Sequence, residues 1–215
     1  MEFDVQDKFI TIVAMRGSGK SELVKYILQN YLHDFDQYFI FSGTMFSGFY
    51  EKMNIPKKHL FSECNEEWMK NLMSKMERVN QGKNKHSPDF KRCLLVMDDM
   101  LTNSRGSHDK KFAYLDMIAQ KGRHLGLTLI LISQYYTKIS PTQRSNSDYL
   151  FIGRQNRASY ELIESQLNNT SLDKKEFMDM LRKNTSDFNF LIMNQSTNTS
   201  DINSSFGRFK VPNVK

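Results

Sequence analysis

The chain has 215 residues, 39% of them hydrophobic, 25% charged and 12% aromatic, with a formal net charge of +6. This balance excludes a disordered or fibrous chain, and the length suits one sizeable α/β domain better than two. No run approaches the roughly 18 apolar residues of a membrane span. The opening Met1-Glu2-Phe3-Asp4 lacks the apolar core of a signal peptide, so no membrane crossing or secretion is expected. The basic excess suits a polyanionic partner and equally suits plain solubility. Cys64 and Cys93 lie far apart in sequence, and free thiols in a reducing compartment are the simpler expectation.

In chain order, the apolar run over 9–14 predicts a buried strand and the pattern over 20–32 a helix. Between them stands Ala14-Met15-Arg16-Gly17-Ser18-Gly19-Lys20-Ser21, which reads as a phosphate-binding loop. A strand feeding a glycine-bearing turn and then a helix aims backbone N–H groups and the positive end of a helix dipole at one point. Gly17 and Gly19 let the backbone approach a polyphosphate, Lys20 reaches the β- and γ-phosphates, and the Ser21 hydroxyl takes a position on Mg²⁺. The first position of the usual pattern is Ala14 rather than glycine.

A second strand is predicted over 37–43, followed by an aromatic-rich loop over 44–50 and an irregular piece over 51–62 broken at Pro56. Trp68, Met69, Leu72, Met73, Met76 and Val79 recur at helical spacing, and this stripe is assigned to the core. A polar, basic loop follows over 82–92. Cys93-Leu94-Leu95-Val96-Met97-Asp98-Asp99 then places two carboxylates at the C-terminal end of a buried strand, where open α/β sheets bind ligands. It looks like a Walker B strand, with Asp98 in the Mg²⁺ shell and Asp99 polarising the attacking water.

A polar loop over 100–109, a helix from about Lys110 and the stretch Gln120-Lys121-Gly122-Arg123-His124 lead into the apolar strand Leu127–Ile132, which ends in Ser133-Gln134. The Gln134 amide can both donate and accept, which suits it to sensing a γ-phosphate or a water. Further strands are predicted over 147–153 and 188–193, with helices over 157–167 and 173–183. A polar loop over 194–205 precedes a possible edge strand over 206–211.

With this order in place, the sequence resembles the FtsK/HerA superfamily of DNA-pumping ATPases, over most of residues 9–165. The stretch from Ile118 to Gln134 is similar to the family's helix, arginine, apolar strand and terminal glutamine. Within the superfamily, the small size and the Asp98-Asp99 pair look like the genome-packaging ATPases of poxvirus-type large DNA viruses and of virophages.

The resemblance implies a single-domain P-loop NTPase fold of the ASCE/RecA-like kind, a mostly parallel sheet flanked by helices with its core over about 9–193. It implies ATP and Mg²⁺ as cofactors, double-stranded DNA as a partner contacted without sequence reading, a homo-oligomeric ring and a capsid vertex or portal partner. An intracellular site of action follows, in host cytoplasm or a virus factory, with virion association left open. Arg123 becomes the arginine finger offered to the neighbouring subunit, and its other reading is a cation complementing a helix C-terminus. Lys83, Lys85, Lys91, Arg92, Arg105, Lys110 and Lys111 are candidate DNA contacts or solvated charges. A small-molecule P-loop kinase and a nucleotide-dependent assembly ATPase stand as alternatives. Asp99 where glutamate is commoner and Arg16 inside the loop are departures from the family pattern.

Overall fold

A computed structural model describes residues 4–44, 47–100, 113–168, 170–196 and 205–212. Its strands are β1 (Phe9–Val13), β2 (Gln37–Ser42), β3 (Leu60–Phe61), β4 (Cys93–Asp98), β5 (Leu127–Ser133), β6 (Tyr149–Ile152), β7 (Asn189–Asn194) and β8 (Phe206–Lys210). The helices are α1 (Lys20–Tyr31), α2 (Glu66–Asn80), α3 (Ala113–Lys121), α4 (Pro141–Asn146), α5 (Arg157–Leu167) and α6 (Lys174–Asn184).

Continuous apolar runs such as those of β1, β4 and β5 arise when a strand is covered on both faces, and these three are buried almost throughout. The strands form one sheet in the order β3-β2-β4-β5-β1-β6-β7-β8. From β3 to β6 every pairing is parallel, while β7 and β8 add antiparallel. The expected mostly parallel sheet flanked by helices is therefore present.

Alternation of side chains along each strand divides the core in two. On one face Leu95 and Met97 of β4, Leu129 and Leu131 of β5 and Leu191 of β7 pack with α2, α3, α5 and α6. On the other, Ile10 and Ile12 of β1, Val96 of β4 and Ile130 of β5 meet Leu23, Val24, Ile27 and Leu28 of α1. Met69, Met73 and Met76 are buried in the first cluster, as the stripe predicted. Cys64 and Cys93 are both buried.

Two elements depart from the sequence reading. Leu60–Phe61, expected to be irregular, adds to β2 as a two-residue parallel strand too short to carry a pattern. No element was expected over 135–146, yet α4 forms there, with Pro141 in its first turn and a Ser140–Gln143 capping box. Among the described residues no helix is long and apolar enough to cross a membrane.

Candidate nucleotide-binding site

Because β4, β5, β1 and β6 run parallel, the residues that follow them gather along one sheet edge. Ala14 leaves β1 with its N–H on the Ser133 carbonyl at 3.2 Å, and the Met15 N–H bonds the Arg154 carbonyl at 2.8 Å. The loop then turns through Gly17 at φ 75° and Gly19 at φ 88°, a left-handed backbone that glycine adopts without steric cost. Gly19 caps α1 and has no side chain to offer the helix's first N–H groups. Ser18 is buried, and among the described residues its Oγ has no hydrogen-bond partner.

Lys20 folds back to donate to the carbonyl oxygens of Ala14 and Met15. Burial lowers the pKa of its ammonium group, and the charges of Asp99 and Asp98 work against that shift. Uncapped N–H groups, a buried unpaired hydroxyl and a desolvated ammonium are the donor set that a polyphosphate takes.

Ala14 at the first loop position is accommodated by Gly153, just past β6. A Cβ on Gly153 would lie 2.6 Å from that of Ala14 and 2.9 Å from the Phe190 ring. The room that glycine usually supplies within the loop is supplied here by the neighbouring strand.

Two strands away, β4 ends at Asp98 in register with Ser42 of β2. The Tyr50 hydroxyl donates to Asp98 Oδ2 at 2.8 Å, and Ser42 Oγ donates to the same oxygen at 3.3 Å. Burial pushes the Asp98 carboxyl up; the Tyr50 hydrogen bond opposes this, and the charge of Asp99 reinforces it. The Tyr50 phenol is pushed well above its ordinary value by burial and by the same two acids.

Asp99 turns left-handed at φ 54° and hangs its N–H on the Ile132 carbonyl at 3.1 Å. Its Oδ2 accepts a 2.6 Å hydrogen bond from Gln134 Nε2, so acid and amide are already joined. Arg16, Gly17, Gly19, Lys20, Ser21, Asp98, Asp99 and Gln134 line one cavity of about 440 Å³, together with Thr44, Phe49 and Tyr50.

Among the described residues no cluster of three His, Cys, Asp or Glu could hold a metal by itself. Mg²⁺ at nucleotide sites is held by one or two protein oxygens, phosphate oxygens and water, and Ser21 and Asp98 on one cavity fit that pattern.

Arg123 is not part of this cavity. It lies ahead of β5, at the opposite sheet edge, and its Nη1 is 3.4 Å from Asp148 Oδ1. The seven residues of β5 separate the two edges by about 20 Å, beyond the reach of its side chain. The 82–92 loop is at the same far edge. There Lys83 bonds the Asp89 carbonyl, Lys85 the Arg123 carbonyl and Lys91 the Asp36 carboxylate, while Arg92 lies 3.6 Å from Asp7. Arg105, Lys110 and Lys111 lie outside the described residues.

The sequence reading missed Tyr50, Gly153 and the wall made by Thr44 and Phe49. Tyr50 stood only in an aromatic-rich loop, and no spacing rule links it to an acid 48 positions away.

A mostly parallel sheet with a glycine loop after β1, two acids two strands away and a glutamine at the end of the strand between has the P-loop NTPase fold. The fold is similar to that of the genome packaging NTPase B204 from Sulfolobus turreted icosahedral virus 2, solved in complex with AMP. The TM-score is 0.65 at 18% identity, over 95% of this chain and 97% of that one. It is similar also to the pCW3 conjugation coupling protein TcpA with ATPγS, with a TM-score of 0.66 at 20% identity, covering 98% of this chain and 62% of that one.

Residues 4–205 match the family described as Poxvirus A32 protein, and the chain belongs to that family. The poxvirus-type family that the sequence reading expected is thereby borne out. Two viral relatives are uncharacterized proteins. L437 of Acanthamoeba polyphaga mimivirus is 30% identical over 160 residues, covering 71% of this chain and 55% of that protein. Protein 015R of Frog virus 3 is 25% identical over 162 residues, covering 74% and 48%. The chain thus spans about half the length of these curated relatives.

Proposed function

We propose that the protein is an ATP-driven double-stranded DNA translocase that packages a viral genome into a preformed capsid, working as a ring with active sites shared between subunits. The observation that carries the reading is the single cavity in which the glycine loop, Lys20, Ser21, Asp98, Asp99 and Gln134 converge. Backbone N–H groups at the start of α1 and the Lys20 ammonium hold the phosphates, and Lys20 exchanges its carbonyl partners for them. Ser21 and Asp98 are the residues that would hold Mg²⁺, which neutralises charge on the β- and γ-phosphates when bound. Asp99 accepts a hydrogen bond from the attacking water, and the Gln134 amide orients that water or reads the γ-phosphate.

Arg123 cannot serve its own chain's site, and its place at the far sheet edge suits delivery to a neighbour's site in a ring. An arginine supplied in trans contributes about 10³–10⁵ in rate. Lys83, Lys85, Lys91 and Arg92 each bond within their own chain, and together with Arg105, Lys110 and Lys111 they are the candidate DNA contacts.

The test is steady-state ATP hydrolysis with and without long double-stranded DNA at two salt concentrations, beside a Lys20→Ala variant. DNA is expected to raise the rate, salt to suppress that gain by weakening phosphate contacts, and the variant to be inactive. Hydrolysis indifferent to DNA in a ring-forming protein would overturn the DNA pump and favour a nucleotide-dependent assembly ATPase. Transfer of phosphate to a small acceptor would favour a kinase.

A further inference from the structure

The cavity described above takes the phosphate end of a nucleotide, and among the described residues that line it none lies on β6 or β7. The strand order gives the direction. The acids and Gln134 stand on β4 and β5, on one side of β1. A triphosphate with its terminal phosphate toward them has its nucleoside end on the other side, over β6 and β7. One strand, β6, separates β1 from β7, so the two lie two strand spacings apart, a lateral distance of about 10 Å.

At that place, immediately before β7, stands Phe188. It is one of three large apolar side chains left exposed among the described residues, at 38%. Its backbone is left-handed at φ 60°, and that of Asp187 before it at φ 53°. Consecutive left-handed residues without a glycine are strained, and a bulky side chain held so is a genuine outlier of the kind found at ligand clamps.

The strain is locked by neighbours. Val211 donates its N–H to the Phe188 carbonyl at 3.2 Å and is itself buried. Phe209 rests on Tyr26 of α1 with ring centroids 4.9 Å apart, fastening the last strand to the phosphate-binding helix. The phenyl therefore stands beside the loop itself: a Cβ added to Gly19 would lie 3.4 Å from Phe188 Cδ1.

We propose that Phe188 is the platform on which the purine base of the bound nucleoside triphosphate stacks. This rests on the nucleotide-binding reading and deepens it. An aromatic face recognises any base by its π-surface, so the platform supplies affinity with little choice between adenine and guanine.

The experiment compares ATP with inorganic tripolyphosphate, which carries the phosphates and no base, by equilibrium binding to the full chain and its variants. Phe188→Ala is expected to weaken ATP about tenfold, within the range of a lost aromatic–base stack, and to leave tripolyphosphate unchanged. Phe188→Tyr is expected to restore ATP binding. In a Phe188→Trp variant, ATP is expected to quench the new fluorescence and tripolyphosphate to leave it. ATP affinity indifferent to Phe188→Ala, or an equal loss for both ligands, would overturn the platform while the nucleotide reading stands. Native protein that binds neither ligand would overturn both.

Discussion

Ala14 and Gly153 form a pair in which each small residue makes the other necessary. In Gly153→Ala the new methyl meets the Ala14 methyl and the fully buried Phe190 ring. Overpacking of this kind costs about 1–3 kcal/mol, and here the displaced atoms belong to the phosphate loop. Urea denaturation should show that loss together with weakened ATP binding, and adding Ala14→Gly should recover part of both. Asp98 carries the opposite kind of tension. Burial raises its pKa above the unfolded value, so the contribution Asp98 makes to the stability of the nucleotide-free protein is fully present below the unfolded value. Stability is then lost as pH rises through the folded value. Asp98→Asn keeps the shape and removes the buried charge, so at pH 7 it should melt higher, by about 2–4 °C for each kcal/mol recovered. The same variant should lose Mg²⁺-dependent hydrolysis. A melting temperature at or below that of the native protein would contradict the assignment of burial as the dominant influence on Asp98.

At the scale of elements, legibility followed burial and length. Strands covered on both faces write continuous apolar runs, and β1, β4 and β5 were readable from them. Helix α2 was readable because one face is buried at three- and four-residue spacing. Two-residue β3 and six-residue α4 are too short for either period. How α2 is fastened was not legible at all. Asn80, its last residue, donates to the Lys91 and Leu125 carbonyls at 2.8 and 3.0 Å and accepts the Lys91 N–H at 2.8 Å. These bonds tie α2 to the chain entering β4 and β5. Asn80→Ala strands their partners and should cost about 2–3 kcal/mol in chemical denaturation. Because the tie lies at the sheet edge away from the cavity, the ATP affinity of the folded variant should match that of the native protein. A loss of affinity without a loss of stability would show that the two edges are coupled.

For the whole molecule, the decisive geometry is the separation of Lys20 and Arg123 by the length of the sheet. Under the proposed sharing of active sites between subunits, a mixing rule follows. Lys20→Ala and Arg123→Ala should each be inactive alone. Their mixture should regain hydrolysis, because some interfaces pair an intact loop on one subunit with an intact arginine on the next. Absence of recovery in assembled mixed rings would remove Arg123 from the shared site and leave it the structural partner of Asp148. DNA-stimulated hydrolysis should also fall steeply with salt, as expected when phosphate contacts dominate.

By itself the sequence specified the residues of the proposed nucleotide site. A glycine loop and an acid-tipped strand are local: spacing and apolar pattern are enough to specify strand, turn and helix. The resemblance rested on local signals too, in the run from Ile118 to Gln134, and the family match extends over residues 4–205. Only the tertiary structure decided what stands around that chemistry. Tyr50 reaches Asp98 across 48 positions, Gly153 makes room for Ala14, and Phe188 comes to rest beside Gly19 from another part of the chain. It also set Arg123 away from its own chain's site. These are consequences of strand order, and parallel crossovers bring distant segments together without leaving a periodic trace in the chain.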